Sequence, residues 1–374
     1  MQLSETVKLY MTRTEYQLVK DTMTEYINTV NGLVSDATNG ISISKYTTAD
    51  VKVNLPSALT NQCIRDAKSI VKKYNKASRD VGRKNAKQGK DIKVVATIPV
   101  LRKSCCYINN QNYRVNGDCI EFPVLINSKP KRFSVKTKMT DKQKSIFANS
   151  KLGTMRIVYK GNKIVAQIVY EVSKPVYNGE GNVMGVDLGI KCPAVSYVFD
   201  GSVKFFGNGR KNKYMRRHYA YLRKKLQKAK HIDAVKRIND KEQRIMRDID
   251  HKLSHDIVEA AVAHDVKVIK LERLTNIRST TRTSRKNNHS LHNWSFYRLA
   301  QFIEYKAKLA GITVEYVNPA YTSQTCPVCG HVHHANDRNY VCKCGFHIHR
   351  DVLGAINICN STEYVGDSNI RHTA

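Results

Sequence analysis

The sequence predicts a multidomain α/β protein: an N-terminal β-barrel with a helical insertion, then a mixed α/β domain carrying a zinc ribbon. Three observations predict it. Asn116-Gly117 and Gly161-Asn162 sit between alternating strands in the first half, and such turns mark the hairpins of a small antiparallel barrel. Beyond residue 182, three meander strands are followed by helix, strand, helix and strand, which is the order of a mixed sheet. Two close cysteine pairs, Cys326/Cys329 and Cys342/Cys344, fall before the final helix.

The elements follow in chain order. Residues 14–75 read as helical, because Tyr16, Leu18, Val19, Met23, Tyr26, Ile27 and Val30 recur at helical spacing. Ala58, Leu59, Cys63, Ala67, Ile70 and Val71 do the same after a Pro56-Ser57 start. Residues 72–93 turn basic and polar, through Lys72, Lys73, Lys76, Arg79, Arg83, Lys84, Lys87 and Lys90, and are expected to be a solvated loop that can touch phosphate. From 94 to 173 the period shortens to that of strands. Gly179-Glu-Gly-Asn182 makes a plausible junction. The boundaries expected are 1–13 with 86–182 for the barrel, 14–85 for the insertion, 183–318 with 346–374 for the second domain, and 319–345 for the ribbon.

The second domain opens on Val183-Met-Gly-Val-Asp-Leu-Gly-Ile190, a short buried strand that delivers Asp187 to its end. Ala194–Phe199 and Val203–Phe206 flank Asp200-Gly201, another hairpin turn. A helical stretch, Arg210–Lys230, then carries ten Lys/Arg and no acid. A long helix over 240–264 precedes the strand Val266–Leu271, which ends in Glu272. A basic loop, Asn276–His292, a helix at about 294–310 and a strand at Ile312–Val317 complete the set. This is the order of a ribonuclease H-like domain.

Charge narrows the function. The 374 residues hold 63 Lys/Arg against 31 Asp/Glu, a formal charge of +32. Such a surplus repels itself unless a polyanion neutralises it, and nucleic acid is the first candidate. A membrane partner is disfavoured, since no apolar run approaches the length of a spanning helix. The N-terminal residues lack the apolar core of a signal peptide, so the ten cysteines are expected in a reducing cytoplasm. Cys63, Cys105, Cys106, Cys119, Cys192 and Cys359 read as small core residues.

The remaining four cysteines carry chemistry. Twelve residues separate Cys329 from Cys342, and two close pairs supply four thiolates for tetrahedral zinc. Four thiolates leave no open position, so one structural Zn(2+) is expected. His331, His333, His334, His347 and His349 lie nearby, as substitute ligands or as exposed polar residues. Asp351 opens the helix that follows. Asp187, Glu272 and Asp351 then stand on elements that this topology brings together. Like charges that close need a counter-ion, and carboxylates with retained water suit two Mg(2+) or Mn(2+) ions.

Several stretches carry a family resemblance: Val183–Ile190, Ile269–Ile277, Trp294–Leu299, Tyr321–Cys329 and Arg350–Ile358. They resemble the RuvC-like core and zinc ribbon of the TnpB/OrfB proteins of insertion sequences, relatives of the type V CRISPR effectors. The likeness is strong over about 183–360. It is looser before that, where Leu55-Pro-Ser-Ala58, Ile64-Arg-Asp66 and Lys151-Leu-Gly-Thr154 are similar. Residue by residue, it implies Asp187, Glu272 and Asp351 as catalytic acids holding divalent metal, and Cys326, Cys329, Cys342 and Cys344 as zinc ligands. Two departures stand out. One residue separates Cys342 from Cys344 where two are commoner, and Leu353-Gly354 replace a frequent Asn-Ala.

The resemblance implies an RNA-guided DNA endonuclease, a monomer with its RNA, whose guide derives from the transposon end. Its partners would be that guide RNA and a double-stranded DNA target with a short flanking motif. Two alternatives remain: a non-catalytic RNA-guided regulator, and an unguided resolvase-like or transposase-associated nuclease. Arg210, Lys211, Lys213, Arg216, Arg217 and Arg223 are candidate nucleic-acid contacts, with Lys224 and Lys225 beyond them. Tyr214, Tyr219 and Tyr221 interleave as candidate stacking groups. Arg278–Lys286 is a candidate lid.

Overall fold

The structure is a computed structural model that describes residues 1–88, 95–126, 129–161, 163–173, 175, 180–238, 240–274, 284, 288, 291–335 and 337–363. It divides into two compact units, 1–173 and 174–374. The expectations for Lys90, Asn162, Gly179, Asn276 and most of the Arg278–Lys286 lid fall outside the described residues.

The first unit contains β1 (Gln2–Tyr10), α1 (Arg13–Thr38), α2 (Ser57–Gln88), β2 (Cys105–Ile108), β3 (Arg114–Asn116), β4 (Cys119–Ile126), β5 (Lys129–Thr137), α3 (Asp141–Asn149), β6 (Leu152–Lys160) and β7 (Lys163–Glu171). Its seven strands run β2-β6-β7-β1-β5-β4-β3, and every recorded pairing is antiparallel. Gly117 and Gly161 take positive φ, 56° and 63°, as tight hairpin turns require. The ladder has β2 and β3 at its ends, with no pairing between them among the described residues.

Helix α1 starts on a capping box, in which the Thr12 hydroxyl accepts from Glu15 N and Glu15 accepts from Thr12 N. Its predicted apolar face is buried at Val19, Met23, Tyr26, Ile27 and Val30. Tyr26 donates to Asp66 on α2 at 2.5 Å, which gives the hydroxyl of this buried tyrosine a partner. The expected loop at 72–93 is corrected over most of its length: α2 continues through Gln88. Lys and Arg are good helix formers, and their charges stay solvated on a projecting helix.

The second unit contains β8 (Asn182–Leu188), β9 (Ala194–Val198), β10 (Val203–Phe206), α4 (Gly209–Lys228), α5 (Ile232–Ile238), α6 (Lys241–Ala263), β11 (Val266–Glu272), α7 (Phe296–Leu309), β12 (Thr313–Val317), the ribbon strands β13 (Asn339–Val341) and β14 (His347–His349), and α8 (Arg350–Asn360). Its sheet runs β10-β9-β8-β11-β12. The first three strands form the antiparallel meander read from the sequence. Strand β11 then joins β8 in parallel, and β12 joins β11 in parallel. Leu253, Ile257, Ala261, Leu299, Ile303 and Ala307 bury the faces of α6 and α7 against this sheet.

Helix α8 packs directly on the backbone of β8. A methyl group at Gly185 would stand 2.9 Å from Cys359 Cα, and closer still to the Ala355 carbonyl. No larger residue permits this approach. The far end of α8 is held by Lys270, a buried lysine of β11 whose Nζ donates to Cys359 O at 2.9 Å and Ser361 O at 2.8 Å. A cation therefore sits on the carbonyls at the helix C-terminus, where the helix dipole favours it. Among the described residues, no helix is long and apolar enough to cross a membrane.

Candidate active site and zinc centre

Asp187 and Glu272 come from neighbouring parallel strands. Val186 pairs with Leu271, so the next residue on each strand is a carboxylate. Asp351 sits in the first turn of α8, which lies across β8 and β9. Gly354, one turn further along α8, faces Asp187: an added methyl would meet Asp187 Oδ2 at 3.1 Å. The side chain of Asp187 is thus held between a strand and a helix that approach each other at two glycines.

The electrostatics follow from that placement. Burial pushes the Asp187 carboxyl well above its usual range, and the charges of Glu272 and Asp351 push it further. Arg350 and Arg338 oppose the shift. Burial also raises Glu272, against the hydrogen bond it accepts from Thr322. Repulsion of this kind raises the proton affinity of the carboxylates unless a nearby cation offsets it. Hard divalent ions with oxygen ligands match this donor set.

Several neighbours that sequence reasoning did not single out hold the acids in place. The Thr322 hydroxyl donates to Glu272 Oε1. Asn357 on α8 donates to the carbonyls of Thr322 and Thr325 at 2.7 and 2.8 Å, fixing the segment that presents Thr322. The guanidinium of Arg338 is ion-paired with both carboxylate oxygens of Asp351. His349 accepts from Asp351 N at 3.2 Å and so caps α8. Thr322 and Asn357 lie inside the quoted motif stretches. Arg338 lies between the cysteine pairs, where no pattern marks it.

The four predicted cysteines come together. Their sulfur atoms all lie within 4.8 Å of one another. Cys326 and Cys344 are 3.7 Å apart, and Cys329 and Cys342 are 3.5 Å apart. Tetrahedral zinc with Zn–S near 2.3 Å places its sulfurs roughly 3.8 Å apart, so the residues present fit the metal. Gly345 turns under the cluster with φ 91°. No histidine belongs to this group. Tyr340, Cys342 and Leu353 share one small core, which anchors the ribbon on α8. The other six cysteines are unpaired, and four of them are buried.

The basic helix is partly committed elsewhere. Arg223 bonds to Glu242 at 2.6 Å, and Arg216 lies 3.9 Å from the same carboxylate. Tyr219 is buried, so it is core and cannot stack on a ligand from solvent. Tyr214 and Tyr221 are exposed, as are Arg210, Lys211, Lys213 and Arg217.

Comparison with known proteins gives the same direction. The family description "Cas12f1-like, TNB domain" matches residues 296–358, spanning α7, the cysteine quartet and Asp351. A TnpB-like protein of Methanocaldococcus jannaschii is 29% identical over 270 residues, covering 68% of this chain and 94% of that protein. The chain is therefore similar to TnpB-like and Cas12f proteins. The CRISPR-associated endodeoxyribonuclease Cas12f1 of Syntrophomonas palmitatica is 32% identical over 202 residues, 49% of this chain and 38% of that protein. The chain therefore spans well under half of that longer relative. In structure, it resembles the protein of a Cas12f1–sgRNA–target DNA complex with a TM-score of 0.66 at 14% identity, covering 92% of this chain and 82% of that one. At that identity the likeness shows a shared mixed α/β fold.

Proposed function

We propose that this chain is an RNA-guided DNA endonuclease of a transposable element, hydrolysing phosphodiesters at one RuvC-like site formed by Asp187, Glu272 and Asp351. The observation that carries the reading is the pairing of Val186 with Leu271. It sets Asp187 and Glu272 on adjacent strand ends, in an arrangement where Asp187 is destabilised by both other acids. A repressor has no use for that repulsion. The names of the relatives, TnpB-like and CRISPR-associated endodeoxyribonuclease, support the same class.

In this reading the three carboxylates hold two Mg(2+) or Mn(2+) ions, which when bound supply an activated water and stabilise the leaving oxygen. The chain's own residues set the geometry. Thr322 orients Glu272 through its hydroxyl, and Arg338 holds Asp351 through its guanidinium. Burial of the acids keeps bulk water from screening them. Cys326, Cys329, Cys342 and Cys344 would hold one structural Zn(2+), tying Arg338 to α8. A barrel domain would comprise 1–13 and 86–182, with a helical insertion at 14–85. A nuclease core would comprise 183–318 and 346–374, with the ribbon at 319–345.

A guide RNA from the transposon end would read the target by pairing, while protein reads backbone and a short flanking motif. The exposed Arg210, Lys211, Lys213 and Arg217 suit backbone contact, which adds affinity without sequence choice. The decisive experiment uses Asp187→Ala in complex with the RNA that co-purifies with it. DNA binding should survive, while magnesium-dependent plasmid cleavage falls by roughly a thousandfold or more. Unchanged cleavage rejects the assignment of the acids. Absence of bound RNA rejects the guided mechanism and leaves an unguided nuclease.

A further inference from the structure

The second unit contains a cavity of about 500 Å³ that the proposed chemistry does not use. Helices α4, α6 and α7 and the turn at Gly189-Ile190 build it. The turn begins two residues beyond Asp187. Asp187 itself faces Gly354 of α8, so the cavity and the acids share a strand end without sharing a pocket.

Its lining is chemically specific. Trp294 forms one wall and rests against Phe296, with 5.1 Å between ring centroids. Met246 and Leu299 supply apolar surface, and Asn212 supplies an amide. The lining carboxylate, Asp250, is already neutralised by Arg298 at 2.6 and 2.7 Å. Lys213 and Arg217 stand exposed at the mouth, with no ion pair recorded for either among the described residues. The balance is an apolar, aromatic-walled space entered past two unneutralised cations. Its volume falls within the range of pockets that enclose a small aromatic ligand.

We propose that this cavity takes one unstacked base of a single nucleic-acid strand bound along α4, with the flanking phosphates on Lys213 and Arg217. A flat ring against an indole, in a site whose net charge is positive, is the arrangement by which single strands are held without regard to sequence. Indole faces and cations each contribute to such binding, and salt weakens the part due to the cations. The inference rests on the nucleic-acid reading above, but makes no use of the metal-binding acids.

The sequence offers a direct readout, because Trp294 is the one tryptophan in the chain. The full-length protein is titrated with a fluorescein-labelled single-stranded DNA of roughly a dozen nucleotides, and separately with RNA of the same sequence. Anisotropy reports binding, and emission from Trp294 reports the cavity. Binding is expected to lower that emission, with the more effective strand identifying DNA or RNA as the source of the base. Ala220→Met, which adds bulk at the cavity wall, should weaken binding roughly tenfold, the value of one stacked base, and remove the emission change. Arg217→Gln should weaken binding but keep the change at saturation.

Strand binding with unaltered tryptophan emission overturns the proposal and leaves the nuclease reading standing. So does unaltered affinity in Ala220→Met. Adenosine monophosphate that quenches Trp294 and is not displaced by either strand shows a free-nucleotide site and overturns the strand occupant. Failure of both strands to bind overturns the cavity proposal, while the cleavage assay decides the nuclease separately.

Discussion

The two candidate metal centres of the second unit are built on opposite principles. The cysteine quartet is local: all four ligands come from residues 326–344, and their sulfurs gather within 4.8 Å. The acid triad is global, drawn from β8, β11 and α8 across 164 residues of chain (187 to 351). Its oxygens do not form such a cluster. Instead Thr322 holds Glu272, and Arg338 holds Asp351. Thiols can sit side by side because protonation removes their charge at little cost near neutral pH. Carboxylates ionise far below neutrality, so each must be separately held. A closed site can be encoded in one short motif. An open, reactive site requires a folded scaffold.

The largest effect should come from destroying the seat the two sites share. Gly185→Val would drive a side chain into the backbone of α8. The loss should exceed about 3 kcal/mol, the upper end of ordinary overpacking costs. A thermal denaturation scan should show the second unit melting on the order of 10 °C lower. A melting curve matching the parent would mean that α8 does not depend on this contact.

Cys342→Ser separates the centres. Bound zinc, measured by elemental analysis of purified protein, should fall from one equivalent to none. Cleavage should drop about a hundredfold, the upper range for loss of a supporting group, because Arg338 and Asp351 flank the second cysteine pair. Full cleavage by zinc-free protein would show that the ribbon does not position Asp351.

The same contrast explains what could be read from the chain. Cys326, Cys329, Cys342 and Cys344 were legible because ligand spacing is itself the signal. The placement of Asp187 and Glu272 at adjacent strand ends needed the topology as well, and the meander followed by parallel strands supplied it. Arg338 was not legible, since its partner is fixed by how the ribbon folds back on α8. Arg216 and Arg223 misled for a related reason. A basic run gives no hint that Glu242, on the next long helix, takes two of its cations. Tyr219 and Tyr221 are two residues apart yet differ in burial, which only the helix phase decides. At 72–88 composition overstated the loop, because solvated Lys and Arg are equally at home on an exposed helix.

A smaller, signed effect tests the repulsion among the acids. The folded-state pKa of Asp187 lies above its unfolded value, so the folded protein binds the extra proton between those two values. Stability then falls as pH rises through that window, starting from the ordinary aspartate value near 4. Asp187→Asn carries no such charge. With chelator present, the variant should melt higher than the parent at pH 8, by roughly 3 °C for each kcal/mol recovered. Near pH 4 the two should converge. Added magnesium should raise the parent and not the variant. A variant less stable at pH 8 would show that Asp187 is held by favourable contacts.

The smallest effect is expected at Gly354, where the related family commonly has alanine. A methyl there would meet Asp187 Oδ2 at 3.1 Å and Cγ at 3.3 Å, a few tenths of an ångström too close. The carboxylate can yield by rotating about its side-chain bonds, whereas the backbone at Gly185 has no such freedom. Alanine also favours the helix by about 1 kcal/mol over glycine. Gly354→Ala should therefore leave cleavage within about threefold of the parent and melting unchanged or slightly raised. A tenfold loss of cleavage with normal melting would show that the acid tolerates no displacement. The open centre would then be as tightly fixed as the closed one, and the difference between them would lie in their chemistry alone.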